Sequence, residues 1–287
     1  MALLPDHEIV GELSLSLPHL SCATVALTRE AEVVDADGSR RRIQLATESA
    51  LTLYIDRQEL VTLMTLGQVP ELLALGYLLN QGLVDSAAEV ESVTVDWEVA
   101  AAAVRTRHGV SALHERIAKR TVTTGCGQGT VFGDWLQQVA PLPEAEHAAG
   151  SVGHGALVSL LEQMRRHPSI HREAGSVHGT ALWRGGAMLV HVEDVGRHNA
   201  VDTVAGWMAM QRMTGADCWL YTTGRLTSEM VLKAAHLRVP VVVSRNGATA
   251  MGQELAERLN LTLIGRASGQ RYICYSGAAR LQLPRPG

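Results

Sequence analysis

The sequence has no apolar stretch as long as a membrane span, no P-loop, no dinucleotide-binding Gly-x-Gly-x-x-Gly and no Cys-x-x-Cys pair. The first absence argues against a helical membrane protein. The next two mean that any nucleotide is held in a less common manner, and the last removes both a zinc site of paired hooks and intraloop disulfide chemistry. The four cysteines, Cys22, Cys126, Cys218 and Cys274, lie too far apart in sequence for a disulfide framework, so reduced thiols are expected. Lysine is scarce, with only Lys119 and Lys233, and a net charge of -4 gives no broad attraction to nucleic acid or to an anionic membrane. Residues Met1 to Glu8 lack the basic and apolar regions of a secretory signal, and the expectation is a cytoplasmic protein. No repeat of solenoid length and no low-complexity tract is visible.

What is present is a chain of 287 residues, 46% of them hydrophobic, able to bury one large core or two modest ones. Residues 1–28 show little periodicity and read as a poorly ordered leader. Residues 29–140 read as a smaller, β-containing N-terminal lobe. It opens with two strand pairs turning at Asp35–Gly38 and Ile55–Gln58, continues through a helix from Pro70 to Leu79 capped near Gly82, and has a strand at Val90–Val95. A short helix, Ala112–Arg120, leads into a cysteine loop. The aperiodic run from Pro141 to Gly155 is the candidate boundary. Residues 141–287 then read as an α/β domain: a helix at Leu157–Arg166, a hairpin turning at Gly185-Gly186, and a helix at Asn199–Met213. Strands at Cys218–Thr222, Pro240–Ser244 and Leu261–Ile264 alternate with helices Ser228–Leu237 and Ala250–Leu259, before a last strand at Tyr272–Tyr275.

Four segments have the residues for chemistry. Cys126 stands in Thr124-Gly125-Cys126-Gly127-Gln128-Gly129, where glycines leave a thiol uncovered and successive backbone amides favour a thiolate; a tight turn with an incidental cysteine is the plainer reading. Cys218 and Cys274 sit in strand-like runs and read as small buried hydrophobes. The string from His191 to Asp202, including Glu193, Arg197 and His198, crowds titratable groups at a strand's end, where α/β proteins bind ligands, although a local His198–Asp202 pair would also explain it. Its His191-Val192-Glu193 matches the His-x-Glu of zinc deaminases, but the Pro-Cys-x-x-Cys that completes such a site is missing. Gly224-Arg225 followed by Thr227 and Ser228 suits a phosphate at a helix start, or simply a helix cap. Arg266-Ala267-Ser268-Gly269-Gln270-Arg271 is consistent with phosphate or guanine contact and equally with a solvated turn.

Taken in order, Glu48–Leu53, Leu72–Gly82, Thr124–Gly127, Glu193–Asp202, Gly224–Glu229 and Leu261–Gly265 resemble the FdhD family of formate dehydrogenase accessory proteins. The string Glu-Asp-Val-Gly-Arg-His-Asn-Ala-Val-Asp is its most specific part. The resemblance implies a cytidine-deaminase-like α/β C-terminal domain without zinc, in a homodimer. It also implies a sulfurtransferase that takes sulfur from a cysteine desulfurase as a persulfide on Cys126. The recipient would be the molybdenum bis(molybdopterin guanine dinucleotide) cofactor of formate dehydrogenase. That cofactor is a client rather than a permanent group, and no other cofactor, no metal and no nucleic acid or membrane partner is expected. Counting back from Tyr275, the family's guanine dinucleotide contact falls on Arg266, Ala267, Ser268, Gly269, Gln270 and Arg271, with Arg197, His198 and Arg225 as further candidates for the phosphates. Many relatives have two cysteines in the loop, whereas Gly129 stands here where a second would be. A single thiol suffices for a persulfide relay. Two other readings stay open: an escort protein that holds the guanine dinucleotide without moving sulfur, and a deaminase-like hydrolase.

Overall fold

Alternating apolar residues bounded by turn formers build the first hairpins, and the turns fall where the sequence places them. A computed structural model describes residues 16–110, 121–122, 129–130, 139–143 and 151–282. The chain divides into two compact units, the first drawn from Met1–Leu113, Pro168–Gly179 and Val192–Trp207, the second from His114–His167, Thr180–His191 and Met208–Gly287.

In the first unit, β2 (Thr28–Val34) and β3 (Arg40–Ala46) pair antiparallel around Gly38, whose φ is +84°. β4 (Ser49–Ile55) turns into β5 (Gln58–Thr65) through Asp56 and Arg57, both left-handed at φ +46° and +72°, the twist a two-residue hairpin requires. Alternation along β4 buries Leu51, Leu53 and Ile55. These strands join β1 (His19–Leu20), β6 (Val90–Asp96) and β7 (Ala101–Thr106) in a sheet of order β1-β6-β7-β4-β5. α1 (Pro70–Asn80) begins with proline, where the missing amide costs nothing, and lies against β6 and β7. The described part of the expected leader is tied down: β1 pairs with β6, and Glu71 Oε1 accepts from Ser21 Oγ and the Ala23 amide, each at 2.6 Å. β7, with its alanines Ala101 to Ala103, has weak strand propensity and escaped the periodicity reading.

α1 crosses α4 (Arg197–Met210) at two glycines. A Cβ on Gly76 would stand 1.7 Å from the Asp202 carbonyl oxygen, and one on Gly206 would stand 2.0 Å from that of Leu72. The backbones touch there, and only glycine fits. Asn80 Nδ2 donates to Asp202 Oδ1 at 2.7 Å one turn farther along.

β11 (His178–Arg184) and β12 (Ala187–Asp194), of which Thr180 to His191 belong to the second unit, are joined by Gly185 and Gly186, at φ +59° and +87°. They lie in a six-stranded sheet of order β12-β11-β13-β14-β15-β16, completed by β13 (Cys218–Thr222), β14 (Val241–Ser244), β15 (Thr262–Ser268) and β16 (Arg271–Ser276). β13, β14 and β15 run parallel, with Thr222 opposite Ser244 and Val243 opposite Ile264. α5 (Ser228–His236) and α6 (Ala250–Arg258) are the crossovers, as the alternation predicts. α2 (His154–Arg166) sends Leu157, Leu160 and Leu161 into a core with Trp183, Trp219, Tyr221, Val243 and Ile264. Each such side chain contributes about 1.5–3 kcal/mol by leaving water.

The described ends of the run expected as a boundary, 141–143 and 151–155, both fall in the second unit. Leu142 is buried, donates its amide to the Leu259 carbonyl at 3.1 Å and accepts from Asn260 Nδ2 at 3.1 Å. β10 (Val152–Gly153) pairs with β17 (Leu281–Gln282). α3 (Ile170–Ala174) belongs to the first unit. No helix among the described residues is long and apolar enough to cross a membrane. The mixed α/β architecture agrees with the expected class.

Candidate functional site

In the second unit, β13, β14 and β15 end side by side, and the loops that leave them interlock. Ser244 Oγ donates to the Gly224 carbonyl at 2.5 Å, and Asn246 Nδ2 to that of Thr223 at 2.7 Å. The Leu226 amide donates to the Gly247 carbonyl at 3.0 Å, and the Arg266 amide to that of Asn246 at 2.9 Å. Gly265 is fitted between Asn246 and Tyr275; a Cβ there would lie 2.6 Å from the Asn246 oxygen. The loops are therefore held by bonds of their own and need no ligand to order them.

Three exposed arginines rise from this platform: Arg225 three residues beyond β13, Arg245 directly beyond β14, and Arg266 within β15, left-handed at φ +50°. A Cβ on Gly247 would stand 3.7 Å from Arg266 Nε and 3.4 Å from Tyr275 Oη, so the Arg266 guanidinium lies over the β14–α6 loop. The helices that leave these loops differ at their starts. Thr249 Oγ1 caps α6 by accepting from the Gly252 amide at 3.1 Å, whereas the Thr227 side chain makes no capping bond to α5. Such an array attracts an anion, because guanidinium donors, helix N-termini and strand ends all offer N–H groups there. Tyr221 lies buried beneath, its phenol pushed up to about 12 by burial, with the Arg245 charge pulling the other way.

Of the residues singled out in the sequence, Arg225 and the hairpin from Arg266 to Arg271 belong to this unit. Arg266, Ser268, Gly269, Gln270 and Arg271 are exposed around the β15–β16 turn, while Ala267 is buried in the core and presents only backbone. Arg197 and His198 open α4 in the first unit and are both buried. Arg245 has no signal of its own in the sequence, because Ser244-Arg245-Asn246-Gly247 has the composition of an ordinary turn. The available signal was its position after the apolar run Val241 to Val243, at a strand's C-terminal end.

The acidic string of the first unit is occupied by structural bonds. Glu193 accepts from the Ile170 and His171 amides at 2.6 and 3.0 Å, holding the start of α3, and its own amide donates to Gln68 Oε1 at 2.8 Å. Asp194 accepts from Thr65 Oγ1, from the Leu66 and Gly196 amides at 3.1 and 2.8 Å, and from Asn199 Nδ2 at 2.9 Å. Burial raises its pKa, and these bonds oppose the rise. Thr65, Gln68, Glu193, Asp194 and Thr203 also line a small recess. Their oxygens are already engaged with protein donors or, for Thr203, with the Asn199 carbonyl.

The cysteines divide sharply. Cys218 is fully buried in β13, and burial, then the Asp217 carboxylate, push its thiol up to about 12. Cys274 is half-buried in β16; burial raises its pKa, and its Sγ lies 3.0 Å from the Ser276 carbonyl. Neither gives a thiolate near neutral pH. Cys22 is exposed. Cys126, its glycine loop and the expected helix before it lie outside the described residues; the short strands β8 (Thr121–Val122) and β9 (Gly129–Thr130) pair antiparallel on either side of residues 123–128.

Comparison with known proteins adds the relatives. The profile of the FdhD/NarQ family matches residues 46–282. A sulfur carrier protein FdhD of Bacillus subtilis (strain 168) is 28% identical over 239 residues, spanning 83% of this chain and 90% of the relative. One from Staphylococcus aureus (strain MRSA252) is 27% identical over 238 residues, spanning 83% and 89%. Among solved structures, a protein assigned as a formate dehydrogenase accessory protein from Desulfotalea psychrophila superposes with a TM-score of 0.70 at 25% identity, covering 88% of this chain and 98% of that one.

Proposed function

The chain belongs to the FdhD/NarQ family, and from that premise we propose that it is a sulfurtransferase that carries sulfur as a persulfide on Cys126. The donor is a cysteine desulfurase, and the recipient is the molybdenum bis(molybdopterin guanine dinucleotide) cofactor required by formate dehydrogenase. The observation that carries this reading is the division of the cysteines: burial holds Cys218 and Cys274 as thiols, whereas Cys126 stands among glycines inside the family's matched span. In the loading step the Cys126 thiolate attacks the outer sulfur of the donor's persulfide. A new S–S bond forms, the donor's S–S bond breaks, and the donor cysteine leaves as thiolate. No resolving thiol enters this step, so glycine at position 129 is compatible with it.

The client's guanine dinucleotide end suits the arginine-bearing strand ends. Arg225 and Arg266 supply charge, the turn Ser268-Gly269-Gln270-Arg271 supplies exposed donors, and Ala267 takes part through its backbone. The proposal keeps a cytidine-deaminase-like ancestry for the sheet of the second unit, a homodimer, and a cytoplasmic setting.

Incubation with a desulfurase and radiolabelled cysteine tests the reading. Label should be retained by the wild type and by Cys218→Ala and Cys274→Ala, lost from Cys126→Ala, and released by reductant. Cys126→Ala should also abolish activation of formate dehydrogenase. Undiminished activation by that variant overturns the proposal, and guanine nucleotide binding without any retained label converts it to the escort reading.

A further inference from the structure

Three arginines stand where the parallel pairing of β13, β14 and β15 ends, and among the described residues none has a carboxylate partner or a side-chain hydrogen bond. Neighbouring strands are about 4.8 Å apart, so the three loops begin within one or two strand spacings of each other. Like charges so arranged repel, whereas several other surface arginines of this chain stand beside acids: Arg40 with Glu32, Arg41 with Asp35, and Arg165 and Arg166 with Glu162. The strand-end triplet has no such relief. The loops below are fixed by the Ser244–Gly224, Asn246–Thr223 and Arg266–Asn246 bonds, so the backbone positions from which the three side chains rise are set in advance. A diphosphate bears a matching multiple charge and offers oxygens on both phosphorus atoms for guanidinium forks.

We infer that Arg245 is a ligand of the client nucleotide's diphosphate, completing with Arg225 and Arg266 a three-arginine seat at the ends of β13, β14 and β15. The inference rests on the reading of the client as a guanine dinucleotide and deepens it by assigning the charged part of that client to this platform. Arg245 opens the β14–α6 loop over which the Arg266 guanidinium lies, so the two arginines belong to the same stretch of surface beside Gly247.

Calorimetric titration of the full chain with GDP, GMP, guanosine and inorganic pyrophosphate tests this. The wild type should bind GDP more tightly than GMP and GMP more tightly than guanosine, with affinity falling as salt rises. Arg245→Gln should weaken GDP binding about 10-fold or more while leaving guanosine binding unchanged. Arg245→Lys, which keeps the charge but not the fork, should fall between. Arg258→Gln, an exposed arginine at the far end of α6, should behave as wild type. Arg245 is exposed, so the variants should keep the wild-type melting temperature, which is checked alongside.

GDP binding by Arg245→Gln equal to wild type overturns the seat and leaves the nucleotide reading standing. Pyrophosphate bound as tightly as GDP by the wild type, and lost in Arg245→Gln, supports the seat and removes the guanine reading. Failure of the wild type to bind either ligand overturns both.

Discussion

Gly76 and Gly206 make the sharpest quantitative test of the fold. An alanine at Gly76 brings its Cβ to 1.7 Å from the Asp202 carbonyl oxygen and 2.6 Å from the Gly206 nitrogen. Both are backbone atoms, so no rotamer change relieves the clash. Reaching even 3.0 Å requires α1 and α4 to part by about 1.3 Å, in an interior with no spare volume. That displacement stretches the 2.7 Å bond from Asn80 to Asp202 past any useful length. Overpacking costs about 1–3 kcal/mol, and losing a buried bond to a charged group about 1.5–3 kcal/mol. Alanine's better helix propensity returns only about 0.5–1 kcal/mol. The net expectation for Gly76→Ala is destabilisation by about 3–4 kcal/mol, and Gly206→Ala should be comparable. Urea unfolding followed by circular dichroism measures this as a lower midpoint. Gly155→Ala is the control: Gly155 lies exposed in the first turn of α2 with nothing within 4 Å of an added Cβ, so the change should stabilise by a few tenths of a kcal/mol. If Gly76→Ala and Gly155→Ala shift the midpoint alike, the close crossing is not what holds these helices together.

The two crossover helices should respond oppositely to removal of their threonine hydroxyls. Thr249→Ala loses the bond to the Gly252 amide and should cost about 1 kcal/mol; Thr227→Val removes a buried hydroxyl without a partner and should be neutral or stabilising in the same unfolding assay. His191, whose ring meets that of His167 edge-on at 4.7 Å, has its pKa lowered to about 4, by burial first and then by His167. The unfolded chain therefore binds this proton more readily than the folded one, so stability falls as pH drops from about 6.5 towards 4, by about 2 kcal/mol once partial exposure is allowed for. His191→Asn should flatten that part of the stability profile, and an unchanged slope would contradict the assignment. Arg280 is buried, has no acidic partner among the described residues, and donates from its two terminal nitrogens to Thr262 Oγ1 and to both oxygens of Asn260. Arg280→Met should cost about 1–3 kcal/mol in the same unfolding assay, because it also loosens Asn260, which holds the Leu142 carbonyl.

What could be read in the sequence was local. Asp56-Arg57, Gly185-Gly186 and the alternation of β13 to β15 with α5 and α6 are encoded within a few residues, and each lies where the pattern puts it. β1 and α3 are too short for periodicity to detect. The role of the acidic string was hidden for a different reason: Asp194 meets Thr65, and Asp202 meets Asn80, across 129 and 122 residues of chain. No spacing rule distinguishes a carboxylate with distant donors from one that waits for a ligand. Arg245 was hidden by the same non-locality, since its neighbours Arg225 and Arg266 become neighbours only through the parallel register of three strands.

Hydrogen-bond accounting then separates two kinds of polar cluster that look alike in one dimension. Asp194 receives four donors, and both Glu193 oxygens are engaged, so an external ligand would have to break existing bonds and leave buried donors unmatched, at about 1–3 kcal/mol apiece. Among the described residues the strand-end arginines have no protein acceptors to give up, and an anion arriving there relieves repulsion instead of competing with the fold. The most recognisable string in the sequence therefore fastens α1, α3 and α4 within the first unit. An anion is better received at Arg225, Arg245 and Arg266, of which only Arg245 has no signal in its local sequence.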